Sequence, residues 1–160
     1  MKTEAIKKGS LAPMPKVLVS CRDKEGRDNA LAVGYCGNCS FDPPMLMVGI
    51  VPSRYSYHMV KESGCFVVNI PAKDFAKEFD YLGSASGRDE DKLKDIATSD
   101  ADIVNAPILD ACPVNVECTV VDSIMTGSHE MFVGKVEKVH ADSKYVDENG
   151  KIDFSKIDLL

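Results

Sequence analysis

The sequence has no tryptophan, and aromatic residues make up only 7% of its 160 positions. It has no basic block: Lys and Arg total 19 against 25 Asp and Glu, a net charge of −6. An acidic chain without a cationic stripe is a poor partner for nucleic acid or an anionic membrane surface. Long apolar runs are missing too. The longest uncharged stretch is 13 residues, from Asn29 to Phe41, too short to cross a bilayer. The first 25 residues mix Lys, Glu, Arg and Asp without an apolar segment, so no signal peptide is expected and the expected location is cytoplasmic. Repeats, low-complexity tracts and linkers are also lacking. With 44% hydrophobic residues the chain is not a disordered tail, and a single domain over 1–160 is expected.

Six cysteines are present, at 21, 36, 39, 65, 112 and 118. A core of this size needs no disulfide framework, and several of these cysteines lie in strand-like apolar runs, so reduced, buried thiols are expected. The pair Cys36-x-x-Cys39 has no second pair and no nearby His to complete a four-ligand zinc site. It also lacks the strand-to-helix setting of a redox dithiol. Asn38, Ser40 and Pro43-Pro44 around it read as loop, and no metal site is expected.

Runs of β-prone residues cover Lys16–Cys21, Asn29–Tyr35, Met45–Val51, Cys65–Ile70, Val114–Ile124 and Met131–Val139. The last two flank Thr126-Gly127-Ser128-His129 and read as a hairpin. Ser53–Gly64 reads as a helix with Ser53 at the N-cap and Gly64 as the stop. Asp74–Leu82 reads as a short helix with Phe75, Phe79 and Leu82 on one face, and Asp91–Ala97 as another. Strands joined mostly by turns favour an antiparallel barrel with attached helices over a doubly wound sheet.

Three local features carry chemistry. Arg54 and Ser56 follow a strand and Pro52 at the start of a helix, where free N–H groups and the positive dipole end suit a phosphate. An ordinary capped helix with an exposed Arg explains the same residues. Asn29–Gly34 is a small-residue strand against which a flat ring could lie, or simply a tight barrel closure. His129 ends a loop before a strand, a place where a turn residue is common.

Taken in order, the stretches Asn29–Tyr35, Asp42-Pro43-Pro44, Pro52–Ser56, Gly64–Pro71, Ser86–Lys92, Gly127–His129 and Phe132–Gly134 resemble the flavin reductase-like family, the flavoredoxin-type FMN-binding split barrels. The resemblance implies a mainly β fold, a six-stranded antiparallel Greek-key split β-barrel, and a homodimer with FMN near the subunit interface. It implies that Arg54 and Ser56 hold the FMN phosphate with Tyr55 and Tyr57 nearby, and that Lys92 adds a point charge. Asn29 and the backbone of Ala32, Val33, Gly34, Tyr35 and Cys36 would line the isoalloxazine ring. His129 would face the flavin or the substrate as the catalytic candidate. Family members often carry Thr at Ala32 and Trp at Tyr35, and many continue beyond the last hairpin, so a tail shorter than usual is expected.

The implied function is an FMN-dependent oxidoreductase. It would pass electrons from NADH or NADPH through the flavin to free flavin, a ferric complex or a protein acceptor. A non-catalytic FMN carrier fed by a partner, a split-barrel sensor or scaffold, and a pyridoxamine phosphate oxidase are the alternatives. Cys36 would either lie beside the flavin or pack.

Overall fold

The computed structural model describes all 160 residues. Strand β1 (Val17–Arg22) and strand β2 (Asp28–Val33) form a hairpin. Its turn is held by the Asp23 carboxylate, which accepts from the Glu25 and Arg27 N–H groups. After Gly34 and Tyr35 the chain runs through β3 (Cys36–Phe41), β4 (Pro44–Ile50), α1 (Tyr55–Ser63) and β5 (Cys65–Ile70). Helix α2 (Ala76–Ser84) and a small hairpin, β6 (Thr98–Asp100) with β7 (Pro107–Leu109), precede the long pair β8 (Val114–Met125) and β9 (Glu130–Ala141).

The main sheet has the order β2-β1-β5-β8-β9-β4-β3, and its named pairings are antiparallel. Its two edges, β2 and β3, are separated in sequence only by Gly34 and Tyr35. The sheet therefore curls on itself, and the Gly49 N–H donates to the Tyr35 carbonyl at 2.7 Å, extending the β3–β4 ladder back towards β2. Counted as one bent strand, β2 and β3 complete a six-stranded barrel; counted as segments they make seven. The link from β4 to β5 passes through α1 and skips β8 and β9, a Greek-key crossing.

Burial explains the pattern. Val17, Val19 and Cys21 of β1 point into the barrel, where they meet Val48, Ile50, Phe66, Val68, Val116 and Phe132. Met59 and Val60 of α1 join this core. Leu18 and Ala30 face the other way, under Phe75 and Leu82. Phe79 packs there too, so the expected apolar face of the 74–82 helix is present. Two buried faces on β1 account for its continuous apolar run.

Three expectations are corrected. The N-cap of α1 is Arg54, not Ser53; it is extended (φ −70°, ψ 143°) and makes no side-chain cap. Cys36–Phe41 is a strand with a bulge between Asn38 and Ser40, because it continues β2 and gains β4 as a partner. Residues 91–97 form turns, not a helix: the Asp91 carboxylate accepts from the Leu93 N–H and competes with helical bonding. At the other end of α1, Gly64 is left-handed (φ 69°) and donates to the Val60 carbonyl, as a helix stop does.

Candidate functional site

A cleft lies between β2, the start of α1 and the segment after α2. Its polar end is a cavity of about 150 Å3 lined by Asn29, Arg54, Ser56, Arg88 and Lys92 among others. Strand β2 brings Asn29, and its Nδ2 donates to Ser56 Oγ at 2.7 Å with both residues buried. The N–H groups of Tyr55 and Ser56, in the first turn of α1, have no intrahelical acceptor. The missing side-chain cap leaves that helix end open to an anion.

Three cations border this cavity. None of Arg54, Arg88 and Lys92 takes part in any of the protein's ion pairs. Arg88 Nη2 donates to the Ser53 carbonyl at 2.8 Å and is thereby held at the rim. Lys92 is buried, and its Nζ donates to the Leu82 carbonyl at 2.9 Å. Burial pushes Lys92 down to about 8; the Arg54 charge acts in the same direction, against the pull of Cys21 and Glu90. The local cost is the burial of the Lys92 ammonium and its repulsion by Arg54, which a bound anion would offset.

The second end of the cleft is apolar, about 270 Å3, and lined by Leu31 to Tyr35, Gly49, Ile50, Arg54 and His129. It shares Leu31, Ala32 and Arg54 with the polar end, so the two cavities adjoin. Tyr35 and His129 form its outer wall, with ring centroids 4.6 Å apart and planes tilted by 50°. Ser128 Oγ lies 2.7 Å from His129 Nδ1, which orients the ring and leaves Nε2 unengaged. Gly49 permits this wall: a Cβ there would lie 3.2 Å from Tyr35 Cβ and 2.7 Å from Met131 Sδ.

Ten of the twelve residues singled out from the sequence therefore line one continuous cleft: Asn29, Ala32, Val33, Gly34, Tyr35, Arg54, Tyr55, Ser56, Lys92 and His129. Two do not. Tyr57 turns away, donates its hydroxyl to Glu130 and packs against Phe132. Cys36 packs against the barrel core, and burial raises its thiol to about 11. Reading the sequence missed Arg88, although it lies within the Ser86–Lys92 stretch, and Leu31, which needed only the same strand.

Outside the cleft, Asp102, Glu117 and His140 bring potential ligand atoms within 4.8 Å of one another. Both Glu117 oxygens are already engaged, by the N–H groups of Asp102, Ile103 and Val104 and by His140 Nε2 at 2.6 Å. The cluster anchors the β6–β7 loop to β8.

The split barrel thus sets an uncapped helix end beside an apolar slot. Residues 10–154 match the family described as Flavin reductase like domain, and the chain belongs to that family. A flavoredoxin from Methanosarcina acetivorans superposes with a TM-score of 0.93 at 31% identity, over 100% of this chain and 85% of that one. Flavoredoxin of Desulfovibrio vulgaris (Miyazaki F) gives 0.88 at 28% identity, over 97% and 85%. Among sequence relatives, an uncharacterized protein of Archaeoglobus fulgidus is 33% identical over 73% of this chain and 68% of its own length. An uncharacterized protein of Aeropyrum pernix is 29% identical over 81% of this chain and 50% of its own. An NADH-dependent flavin reductase of Rhodococcus sp is 25% identical over 76% of this chain and 65% of its own. The chain thus spans only half to two thirds of the length of several relatives.

Proposed function

We propose that the cleft binds FMN and that the protein is an oxidoreductase. It would take electrons from NADH or NADPH and deliver them to free flavin, a ferric complex or a protein acceptor. The observation that carries this reading is the convergence of Arg54, Arg88 and Lys92, all without carboxylate partners, on an uncapped helix end that adjoins an apolar slot. This donor set fits a phosphate joined to a planar ring, because one end supplies charge-assisted donors and the other supplies flat apolar walls.

Bound flavin would supply the hydride and electron transfer itself. The chain's residues bind and orient. Arg54 and the Ser56 hydroxyl would hold phosphate oxygens, and Asn29 fixes the Ser56 rotamer. The Lys92 ammonium, disfavoured by burial when the site is empty, would be stabilised by a dianion. Leu31 to Tyr35 would form the floor under the ring. His129 stands where a donor or acceptor approaches the ring edge, and Nε2 is its free ring nitrogen.

We also propose a homodimer. The outer face of β9, β4 and β3 carries Met45, Met47, Met131 and Val133, with the exposed Ile124 beside them. The two helices lie on other strands, so no element of the same chain covers this face. A second copy seated there would bury it and adjoin the ring end through Met131 and Gly49.

The test is the absorbance of purified protein with FMN, followed by NADH or NADPH, beside Arg54→Ala. Retained flavin bands that bleach with a nicotinamide support the reductase reading. Bands that bleach only with dithionite point to an electron carrier. Arg54→Ala should weaken FMN by about 1.5–3 kcal/mol, roughly 10–150-fold, and riboflavin, which lacks the phosphate, by clearly less. Unchanged FMN affinity removes the phosphate assignment.

A further inference from the structure

Residues 1–16 form an arm that precedes β1 and is exposed along its whole length. No hydrogen bond or ion pair joins it to the rest of the chain. The arm carries Lys2, Lys7, Lys8 and Lys16 against Glu4 alone, a net charge of +3, while the remaining residues carry −9. It passes over the ring end of the cleft. Met14 lines that pocket, and a Cβ on Gly34 would lie 3.7 Å from Met14 Cε. No carboxylate lines the ring pocket, and Arg54 is its one permanent charge. Asp89, Glu90 and Asp91 surround a separate cavity that shares no residue with the ring pocket. The molecule is therefore acidic as a whole yet cationic where the ring would be reached.

Resting on the flavin reading above, we infer that the N-terminal arm and the mouth of the ring pocket form the docking surface for an acidic electron-transfer protein. The apolar centre of such a surface is present: Tyr35, Met14 and Leu11 are 48%, 50% and 82% exposed. An apolar, aromatic-containing centre inside a charged rim is the anatomy of a protein interface, and a methionine adapts to the surface it meets. The lysines lie close enough to be that rim. Lys16 is two residues from Met14, and Lys7 is at most about 25 Å away even along a fully extended chain. A footprint of about 800 Å2 is roughly 30 Å wide. An arm without anchors to its own chain is free to lay its lysines on a partner's carboxylates. Charges of this kind set the association rate and the orientation more than the final affinity. A nucleic acid or a bilayer would extend past the arm to the carboxylates of the body, whereas a small protein meets this end alone. The dimer face proposed above lies on β9, β4 and β3, whereas Met14 meets Gly34 at the end of β2. Docking here brings the partner's redox group to the wall formed by Tyr35 and His129. Reduced flavin holds two electrons, so two encounters empty it: each passes one electron to a one-electron acceptor, and the flavin's protons return to solvent.

The experiment uses the flavin-loaded full chain, reduced with dithionite, and two haem proteins as probes: cytochrome b5, which is acidic, and cytochrome c, which is basic. Stopped-flow absorbance follows haem reduction from about 10 to 150 mM salt, which shortens the Debye length from roughly 30 to 8 Å. The second-order rate with cytochrome b5 is expected to fall about tenfold or more over this range, and the rate with cytochrome c is expected to show no such fall. Lys7→Glu/Lys8→Glu is expected to lower the low-salt rate with cytochrome b5 about tenfold and to flatten its salt dependence, with the rate towards benzoquinone, a small neutral acceptor, unchanged. A cytochrome b5 rate indifferent to salt, or a fall with cytochrome c instead, overturns the inference and leaves the flavin site standing. So does a variant that reacts with cytochrome b5 as the wild type does; if that variant changes the oligomeric state by light scattering instead, the arm belongs to the second copy. A chain that retains no flavin removes the flavin reading and this inference together. The wild-type salt slopes test the acidic partner without any substitution.

Discussion

Asn29 Nδ2 donates to Ser56 Oγ at 2.7 Å, and this bond joins the floor strand of the cleft to the first turn of helix α1. Both residues are buried and stand side by side on the cavity wall. The bond uses an acceptor site of the Ser56 hydroxyl and leaves its proton available to a phosphate oxygen.

Asn29→Ala should therefore act twice. It removes a buried hydrogen bond, which costs about 1 kcal/mol of stability, and it frees the Ser56 rotamer. Denaturant unfolding should register the first effect. FMN titration should register the second as a loss of roughly fivefold to tenfold. A variant that is destabilised yet binds FMN normally would make this bond purely structural.

Lys92 gives a prediction of opposite sign for stability and binding. Its folded-state value, about 8, lies below the ordinary 10.5, so the unfolded chain holds the proton more tightly than the fold does. The fold bears the full cost of the charged ammonium below pH 8, and its stability rises between pH 8 and 10.5 as the folded group deprotonates. Phosphate favours the ammonium, so FMN affinity should fall as pH rises through 8. Lys92→Met should raise the melting temperature of the flavin-free protein at pH 7. It should also weaken FMN and flatten the pH dependence of binding. A lower melting temperature in the variant would contradict the assignment.

Glu130 carries the clearest acid-stability prediction. Its buried carboxylate accepts from Lys61 Nζ at 2.7 Å, from the Tyr57 hydroxyl and from Ser123 Oγ at 2.8 Å. These bonds, Lys61 first, hold it down at about 2 against an ordinary 4.5. The stability they confer is present above pH 4.5 and is lost as pH falls from there towards 2. Glu130→Gln should cost about 1.5–3 kcal/mol at neutral pH, the range for hydrogen bonds to a charged group, and should make the acid slope shallower, leaving the share of Asp23, Glu117 and Asp153, which are also held low. Thermal melts from pH 2 to 7 on both proteins measure this.

Much of the barrel was legible because its strands carry their own signals. Cys65–Ile70 is a β-branched run closed by Gly64 and Pro71, and both limits hold in the fold. β3 carried no such signal: Cys36-Gly37-Asn38-Cys39-Ser40 has no branched residue, and it is a strand only because the closing barrel supplies β4 beside it. The same limit applies at the site. Ser56 and Tyr57 are neighbours, but consecutive helical side chains diverge by about 100°, so one enters the cleft while the other meets Glu130. Lys92 was picked out by its motif, but its burial depends on how the segment after α2 folds back, which no local pattern encodes.

The dimer proposal is tested on the sheet face that nothing covers. Met47 lies between Gly37 and Val133 across two ladders, on the side opposite the buried Val48, and it is half-buried in the single chain. Methionines on an open face adapt to a partner surface at low cost, whereas a carboxylate there would have to be desolvated without a cation. Met47→Glu should leave the monomer folded, because its side chain points away from the barrel core. It should shift the protein from dimer to monomer by light scattering at micromolar concentration. If the ring end is completed by the second copy, the same variant should also lose FMN, with Arg54 and Lys92 intact. A wild-type protein that is monomeric at all concentrations would remove the second copy from the site and leave the cleft to work alone.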